Sequence, residues 1–246
     1  MPRLDWLTAR PFAHRGLHDA SAGVIENTAS AFAAALRNGY GMETDLQISA
    51  DGDAMVHHDD ALGRLTEGSG RLADMSAAEI KKARFKNSSD RILTLGELCD
   101  LVAGRATLLL ELKSRFDGDA RLVRRAAALL ANYAGPVAVM SFDPGMVEMA
   151  RYVAPGLTRG IVAQAHFDDW PALPKAKARS MAHLLHAYRT RPHFTAYRVQ
   201  DLPAPAPFTL RALFGLPLLT WTVRSEEDRR RAAAYADQII FEGWRP

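Results

Sequence analysis

A single cysteine in 246 residues rules out an internal disulfide framework. Cys99 falls in the apolar pattern Leu95, Leu98, Cys99, Leu101 and Val102, so a buried, inert thiol is expected rather than a nucleophile. No apolar run approaches the roughly 18 residues from which a membrane-spanning helix is read. Residues 1–10 lack an apolar core of signal-peptide length. A soluble, cytoplasmic protein is expected. Excess charge is also scarce, with 31 Lys and Arg against 28 Asp and Glu. That small surplus argues against nucleic acid as a partner. The one arginine run, Arg229-Arg230-Arg231, follows Glu226-Glu227-Asp228 and reads as a solvated helix face. No Gly-x-Gly-x-x-Gly follows the first apolar segment, which weakens the doubly wound dinucleotide-binding sheet.

What the chain does contain is an alternation of short apolar runs with amphipathic stretches. Strands are expected at 12–14, 42–46, 108–112, 137–141, 157–162, 194–199, 218–223 and 238–241. Helices are expected at 28–38, 94–102, 119–132, 144–152, 175–188, 207–214 and 226–235, most of them opened by Thr, Asp or Ser as caps. Strand-helix alternation implies a parallel sheet. Eight repeats at this length imply an α/β fold of the (β/α)8 barrel type, in one domain spanning residues 1–246. A polar, Gly-rich stretch over about 47–92 forms an insertion after the second strand, with a short helix at 76–84.

The insertion opens on a hairpin signal. Asp51-Gly52 sits between alternating residues. A two-residue turn there pairs residues whose numbers sum to 103, which sets His58 opposite Asp45.

Residues two apart on a strand share a face. Glu43 and Asp45 therefore point together at the end of strand two, and Glu111 and Lys113 do so at the end of strand three. His14 and Arg15 end strand one. In a barrel these ends ring one mouth, the C-terminal face where barrels hold active sites. Three convergent carboxylates repel unless a cation or protons neutralise them. Oxygen ligands without a cysteine cluster favour a hard divalent ion, Mg2+ or Ca2+, over zinc. Arg15 and Lys113 suit a phosphate. His14 and His58 suit general acid–base roles. His57 is expected to point away, and His166, His183, His186 and His193 are expected in surface or packing positions.

The ordered set Ala13-His14-Arg15-Gly16, Glu26-Asn27-Thr28, Glu43-Thr44-Asp45-Leu46-Gln47, Asp51-Gly52 and His58-Asp59-Asp60-Ala61-Leu62 with Arg64 and Thr66 resembles the glycerophosphodiester phosphodiesterase family. Glu111-Leu112-Lys113, Ser141-Phe142-Asp143-Pro144 and Trp221-Thr222-Val223 agree with it. The resemblance spans nearly the whole chain. It implies a TIM barrel and metal-dependent cleavage of a small-molecule glycerophosphodiester to glycerol 3-phosphate and an alcohol. Carried over, Glu43, Asp45 and Glu111 resemble the metal ligands, and His14 and His58 the acid–base pair. Arg15 and Lys113 resemble the phosphate contacts, and Trp221 the wall of the glycerol pocket. The chain departs from the family at Ile25, often Pro there, and at Glu242, usually Asp.

Two other enzymes share such a barrel. One is a phospholipase D-type enzyme acting on lysophospholipid or sphingolipid headgroups, which needs apolar surface by the mouth. The other is a Mg-dependent lyase, against which Arg15 directly after His14 argues. A non-catalytic phosphate-binding barrel would not need both imidazoles.

Overall fold

The computed structural model describes residues 4–167, 170 and 173–246. In chain order its elements are α1 (Asp5–Thr8), β1 (Phe12–Ala13), α2 (Ala29–Arg37), β2 (Gly41–Ile48), β3 (Ala54–Val56), α3 (Ala77–Ile80), α4 (Leu95–Val102), β4 (Leu108–Leu112), α5 (Arg121–Leu130), β5 (Val137–Ser141), α6 (Pro144–Val153), β6 (Thr158–Ala163), α7 (Lys175–Ala182), α8 (Ala187–Thr190), β7 (Phe194–Arg198), α9 (Pro205–Phe214), β8 (Leu218–Val223), α10 (Glu226–Tyr235) and β9 (Gln238–Phe241). All strands but β3 pair in parallel, and β1 closes the sheet by pairing with both β2 and β9. The fold is the expected closed eight-stranded (β/α)8 barrel.

Strand alternation divides the apolar residues between two layers. Phe12, Leu109, Ala138, Met140, Val162, Phe194, Ala196, Leu219 and Ile240 fill the barrel interior. Met42, Leu108, Leu110, Leu112 and Val139 face outward in the cluster that includes Phe32 of α2, Leu98 of α4 and Val123 of α5. Each fully buried Leu, Ile or Phe contributes about 1.5–3 kcal/mol. Gly160 makes room for Phe194, since a Cβ there would lie 2.3 Å from that ring. Leu7 of α1 is fully buried in the interior cluster, with Trp6 packed against it, so this short helix supports the barrel core. Four residues are too few to show a helical period, so this helix was not expected.

Caps explain where the helices start. Thr28 accepts the Ala31 amide, and Thr94 and Ser76 open capping boxes with Glu97 and Glu79. Such a cap is worth about 1 kcal/mol. Two expected helices are shorter or broken. The 76–84 helix ends at Ile80, and Phe85 then turns into the core of the insertion. The 175–188 helix splits into α7 and α8, with Leu184 between them in a left-handed conformation (φ 54°) that buries its side chain. The 207–214 helix begins two residues early, at Pro205. No helix among the described residues is long and apolar enough to cross a membrane.

The hairpin forms with a corrected register. Leu46 pairs with Val56, Gln47 with Met55 and Ile48 with Ala54, so paired numbers sum to 102. The turn is one residue longer than expected. Ser49 accepts the Gly52 amide and donates its own amide to Asp53, with Gly52 at φ 86°. This is a three-residue loop closed by a left-handed glycine. The slip puts His57, not His58, across from Asp45, and the His57 amide donates to the Asp45 carbonyl at 3.1 Å. His57 is buried. Beyond the hairpin, Met55, Leu62, Leu72, Ile80, Phe85 and Ile92 form a separate small core, together with Ile25 from the loop after β1.

Candidate active site

The barrel brings Glu43, Asp45 and Glu111 together. One carboxylate oxygen from each lies within 4.8 Å of the others, and all three residues are buried. Asp45 sits beside Glu111 because β2 and β4 pair in that register. Lys113 Nζ lies 2.8 Å from Asp45 Oδ1 and 2.7 Å from Glu111 Oε1. Arg15 Nε lies 3.3 Å from Asp45 Oδ2, though without hydrogen-bond geometry. The Arg15 amide donates to Glu43 Oε2 at 3.1 Å. That amide is aimed by a left-handed backbone at Arg15 (φ 55°), a conformation costing on the order of 1–3 kcal/mol for a non-glycine residue. Asn27, also left-handed, donates its side-chain amide to Asp45 Oδ2 at 2.9 Å and accepts from Thr44 Oγ1.

Electrostatics divides the three acids. Burial would raise Asp45, but Lys113 and Arg15 beside it, with His58 nearby, hold its carboxyl far below the usual range. Burial would lower Lys113, but Asp45 and Glu111 hold its ammonium above its ordinary value. Burial pushes Glu43 well up, and the charges of Asp45 and Glu111 add to it. Burial and the two neighbouring acids drive Glu43 toward its neutral form, which leaves Asp45 and Glu111 against Lys113 and Arg15. A hard cation among these oxygen donors would take the place of the Glu43 proton.

Both site imidazoles are held at Nδ1. His14 Nδ1–H donates to Glu242 Oε2 at 2.6 Å, which leaves Nε2 facing Glu43 Oε2 at 3.9 Å. A carboxylate can only accept, so this contact assigns the tautomer. Burial lowers the pKa of His14, with Glu242 pulling the other way. Burial would raise Glu242, but His14 and Arg224 hold it far below the usual range. His58 Nδ1 lies 2.8 Å from Asp59 Oδ1 in the same manner. His58 sits in a bend past β3 and is among the groups that lower the Asp45 carboxyl. The slipped register therefore removes the cross-strand pairing but not the proximity.

Trp221 of β8 lies in the upper layer of the interior, its indole N–H donating to the Ala196 carbonyl at 3.2 Å. Its ring meets Phe142 edge-on at 5.4 Å, and Phe142 meets Trp170 at 5.3 Å. Cys99 is a half-buried free thiol whose pKa burial pushes up to about 11, as expected of an inert one. His186 is buried, and burial lowers it to about 4.

The eight sequence-predicted site residues lie on β2, β4 and β8, just past β1 and β4, or in the bend after the hairpin. The partners Glu242, Asn27, Asp59, Glu26 and Arg64 carried no predicted role. Adjacency was the available signal, since Asp59 follows His58 and Glu26-Asn27 precede the α2 cap.

A family model for the glycerophosphoryl diester phosphodiesterase family matches residues 14–241. The chain belongs to that family. It is therefore classed among the phosphoric diester hydrolases. Its sequence is 31% identical over 242 residues to a glycerophosphodiester phosphodiesterase of Caldanaerobacter subterraneus subsp. tengcongensis, covering 93% of this chain and 91% of that one. Its fold is similar to a phosphodiesterase from Oleispira antarctica solved with the product sn-glycerol-3-phosphate. That match has a TM-score of 0.79 at 21% identity and covers 96% of this chain and 94% of the other. A glycerophosphodiester phosphodiesterase from Thermotoga maritima matches with a TM-score of 0.70 at 23% identity, covering 94% and 92%.

Proposed function

We propose that this chain hydrolyses glycerophosphodiesters to glycerol 3-phosphate and an alcohol by two-histidine acid–base catalysis at a divalent-metal site. The observation that carries this reading is the pair of imidazoles, each held at Nδ1 by a carboxylate with Nε2 left free, beside a three-carboxylate cluster. Glu43, Asp45 and Glu111 would hold the ion, Mg2+ or Ca2+. When bound it neutralises the cluster and stabilises charge on phosphate oxygens. Arg15 and Lys113 hold the non-bridging oxygens, where negative charge grows in the transition state. One imidazole accepts the proton of the attacking oxygen at Nε2, and the other donates a proton from Nε2 to the leaving alcohol oxygen. If the substrate's own 2-hydroxyl attacks phosphorus, the alcohol leaves and a cyclic phosphate forms, which water then opens to glycerol 3-phosphate. Trp221 lines the pocket that takes the glycerol end of the substrate.

The aromatic wall of Trp221, Phe142 and Trp170 favours a second reading, in which a lysophospholipid or sphingolipid supplies the diester. The insertion offers no such surface, because its apolar residues pack into their own core.

Both readings are tested on one panel. Glycerophosphodiesters of different alcohols and lysophospholipids are incubated with Mg2+, with Ca2+ or after chelation, and released glycerol 3-phosphate and free alcohol are measured. The proposal expects glycerol 3-phosphate from the soluble diesters with metal and none after chelation. Release from no diester with either metal contradicts it. Turnover confined to lysophospholipids supports the second reading. A substrate lacking the 2-hydroxyl that is cleaved at the normal rate eliminates the cyclic step alone.

A further inference from the structure

The insertion sends one side chain back toward the residues of the mouth. Arg64 Nη2 donates to Glu26 Oε1 at 2.6 Å, and its Nη1 lies 3.5 Å from Glu26 Oε2. Its Nε donates to Asp59 Oδ2 at 2.6 Å. Each acceptor holds a site residue with the same carboxylate. Glu26 Oε1 accepts from Arg15 Nη1 at 2.8 Å, and Asp59 Oδ1 accepts from His58 Nδ1 at 2.8 Å. One guanidinium thus links the holder of the phosphate-contacting arginine to the holder of an imidazole. From these contacts we infer that Arg64 is a positioning residue for both Arg15 and His58, and that the insertion serves to deliver it.

The surroundings are built for this. Glu26 follows Ile25, which is buried in the insertion's own core beside Leu62 and Phe85. That packing fixes the loop after β1 against the insertion. The backbone around Arg64 is tied in turn, because Lys86, from the far end of the insertion, donates to the Gly63 and Arg64 carbonyls. The bridges Ala61 to Arg71 and Thr66 to Phe85 close the loop on either side. Arginine suits the task because its planar fork presents several N–H donors at fixed angles, while lysine offers one point charge. The Arg64 side chain is 45% exposed, whereas those of Glu26 and Asp59 are 14% and 23% exposed. Its position favours a geometric role over one in core packing. A site residue displaced by about 1 Å loses on the order of a hundredfold in rate.

The inference rests on the hydrolase reading above, and the experiment separates the two. Arg64→Ala, Arg64→Lys, Glu26→Gln and Asp59→Asn are assayed on the diester that the panel identifies, and inorganic phosphate binding is measured by calorimetry. Asp59→Asn is expected to lower kcat with KM little changed, because it frees His58. Glu26→Gln is expected to raise KM and weaken phosphate binding, because it frees Arg15. Arg64→Ala is expected to do both, by about tenfold to a hundredfold, and Arg64→Lys to recover one effect but not both. Adding Arg64→Ala to either acid variant should cost less than the two single effects multiplied. Wild-type kcat, KM and phosphate binding in folded Arg64→Ala would overturn the inference while leaving the hydrolase reading intact. So would full multiplicativity with both acid variants. Absence of turnover in wild type would overturn the hydrolase reading, and weaker phosphate binding by Arg64→Ala than by wild type would still support the Arg15 arm.

Discussion

The barrel mouth has two unlike halves. The strand ends of β9, β1, β2 and β4 carry Glu242, His14, Glu43, Asp45, Glu111 and Lys113, nearly all tied to one another by hydrogen bonds or ion pairs. The ends of β5 and β8 carry Phe142 and Trp221, held by packing and by one indole N–H bond. The first half fixes charges at defined distances, and buried charges must be paired to be tolerated. The second half offers shape and apolar area. On the proposed function, the charged half would break the bond and the aromatic half would hold the organic groups on either side of it.

The largest expected effect tests the charged half. His14→Ala or His58→Ala should lower kcat by about 10²–10⁴-fold with KM changed far less, read by steady-state kinetics on the best diester. Near-normal kcat in His58→Ala would remove it from the chemistry. Next comes the carboxylate behind His14. Glu242→Ala should lower kcat by about tenfold to a hundredfold, because the tautomer and aim of the imidazole are no longer fixed. Glu242→Asp should recover part of the loss, since the carboxylate is retained. Equal loss in both would make the length of the side chain the deciding feature.

The aromatic half is sharpened by Trp221→Ala. Because Trp221 is assigned to the glycerol end that every diester shares, kcat/KM should fall by about tenfold across the panel, through KM more than kcat. A change confined to some alcohols would instead place Trp221 on the leaving-group side.

The two halves also differed in how legible they were. His14-Arg15, Glu43-x-Asp45 and Glu111-x-Lys113 could be read because strand alternation and a short list of ionisable residues leave few arrangements. The eight strands followed from the same alternation. Phe142 stood in the Ser141-Phe142-Asp143-Pro144 landmark without a role, since one aromatic at a strand end resembles any core residue. The hairpin register slipped because Asp-Gly fits both a two-residue turn and a three-residue turn with glycine left-handed, and only the fold chooses between them. Glu242 and Arg64 were missed as partners because they meet His14, Glu26 and Asp59 across 228, 38 and 5 residues of sequence.

The smallest effect on activity lies away from the mouth. His186 is buried, and its folded pKa of about 4 lies below the ordinary value of 6.5. A histidine depressed in this way contributes stability that is present above its unfolded pKa. That stability is lost as pH falls from about 6.5 towards 4, because the unfolded chain takes up the proton first. The loss should be on the order of 2–3 kcal/mol. Urea unfolding at pH 7 and pH 4.5 should show a shallower pH slope in His186→Gln than in wild type. An unchanged slope would assign the pH dependence to other groups.

The central claim is that Glu43, Asp45 and Glu111 together take up a single hard cation. Calorimetric titration of metal-free protein with Mg2+ and with Ca2+ tests it most directly, beside Glu43→Gln, Asp45→Asn and Glu111→Gln. One site per chain is expected in wild type, weakened at least tenfold in each variant. No binding by wild type, or binding that survives in all three variants, would contradict it.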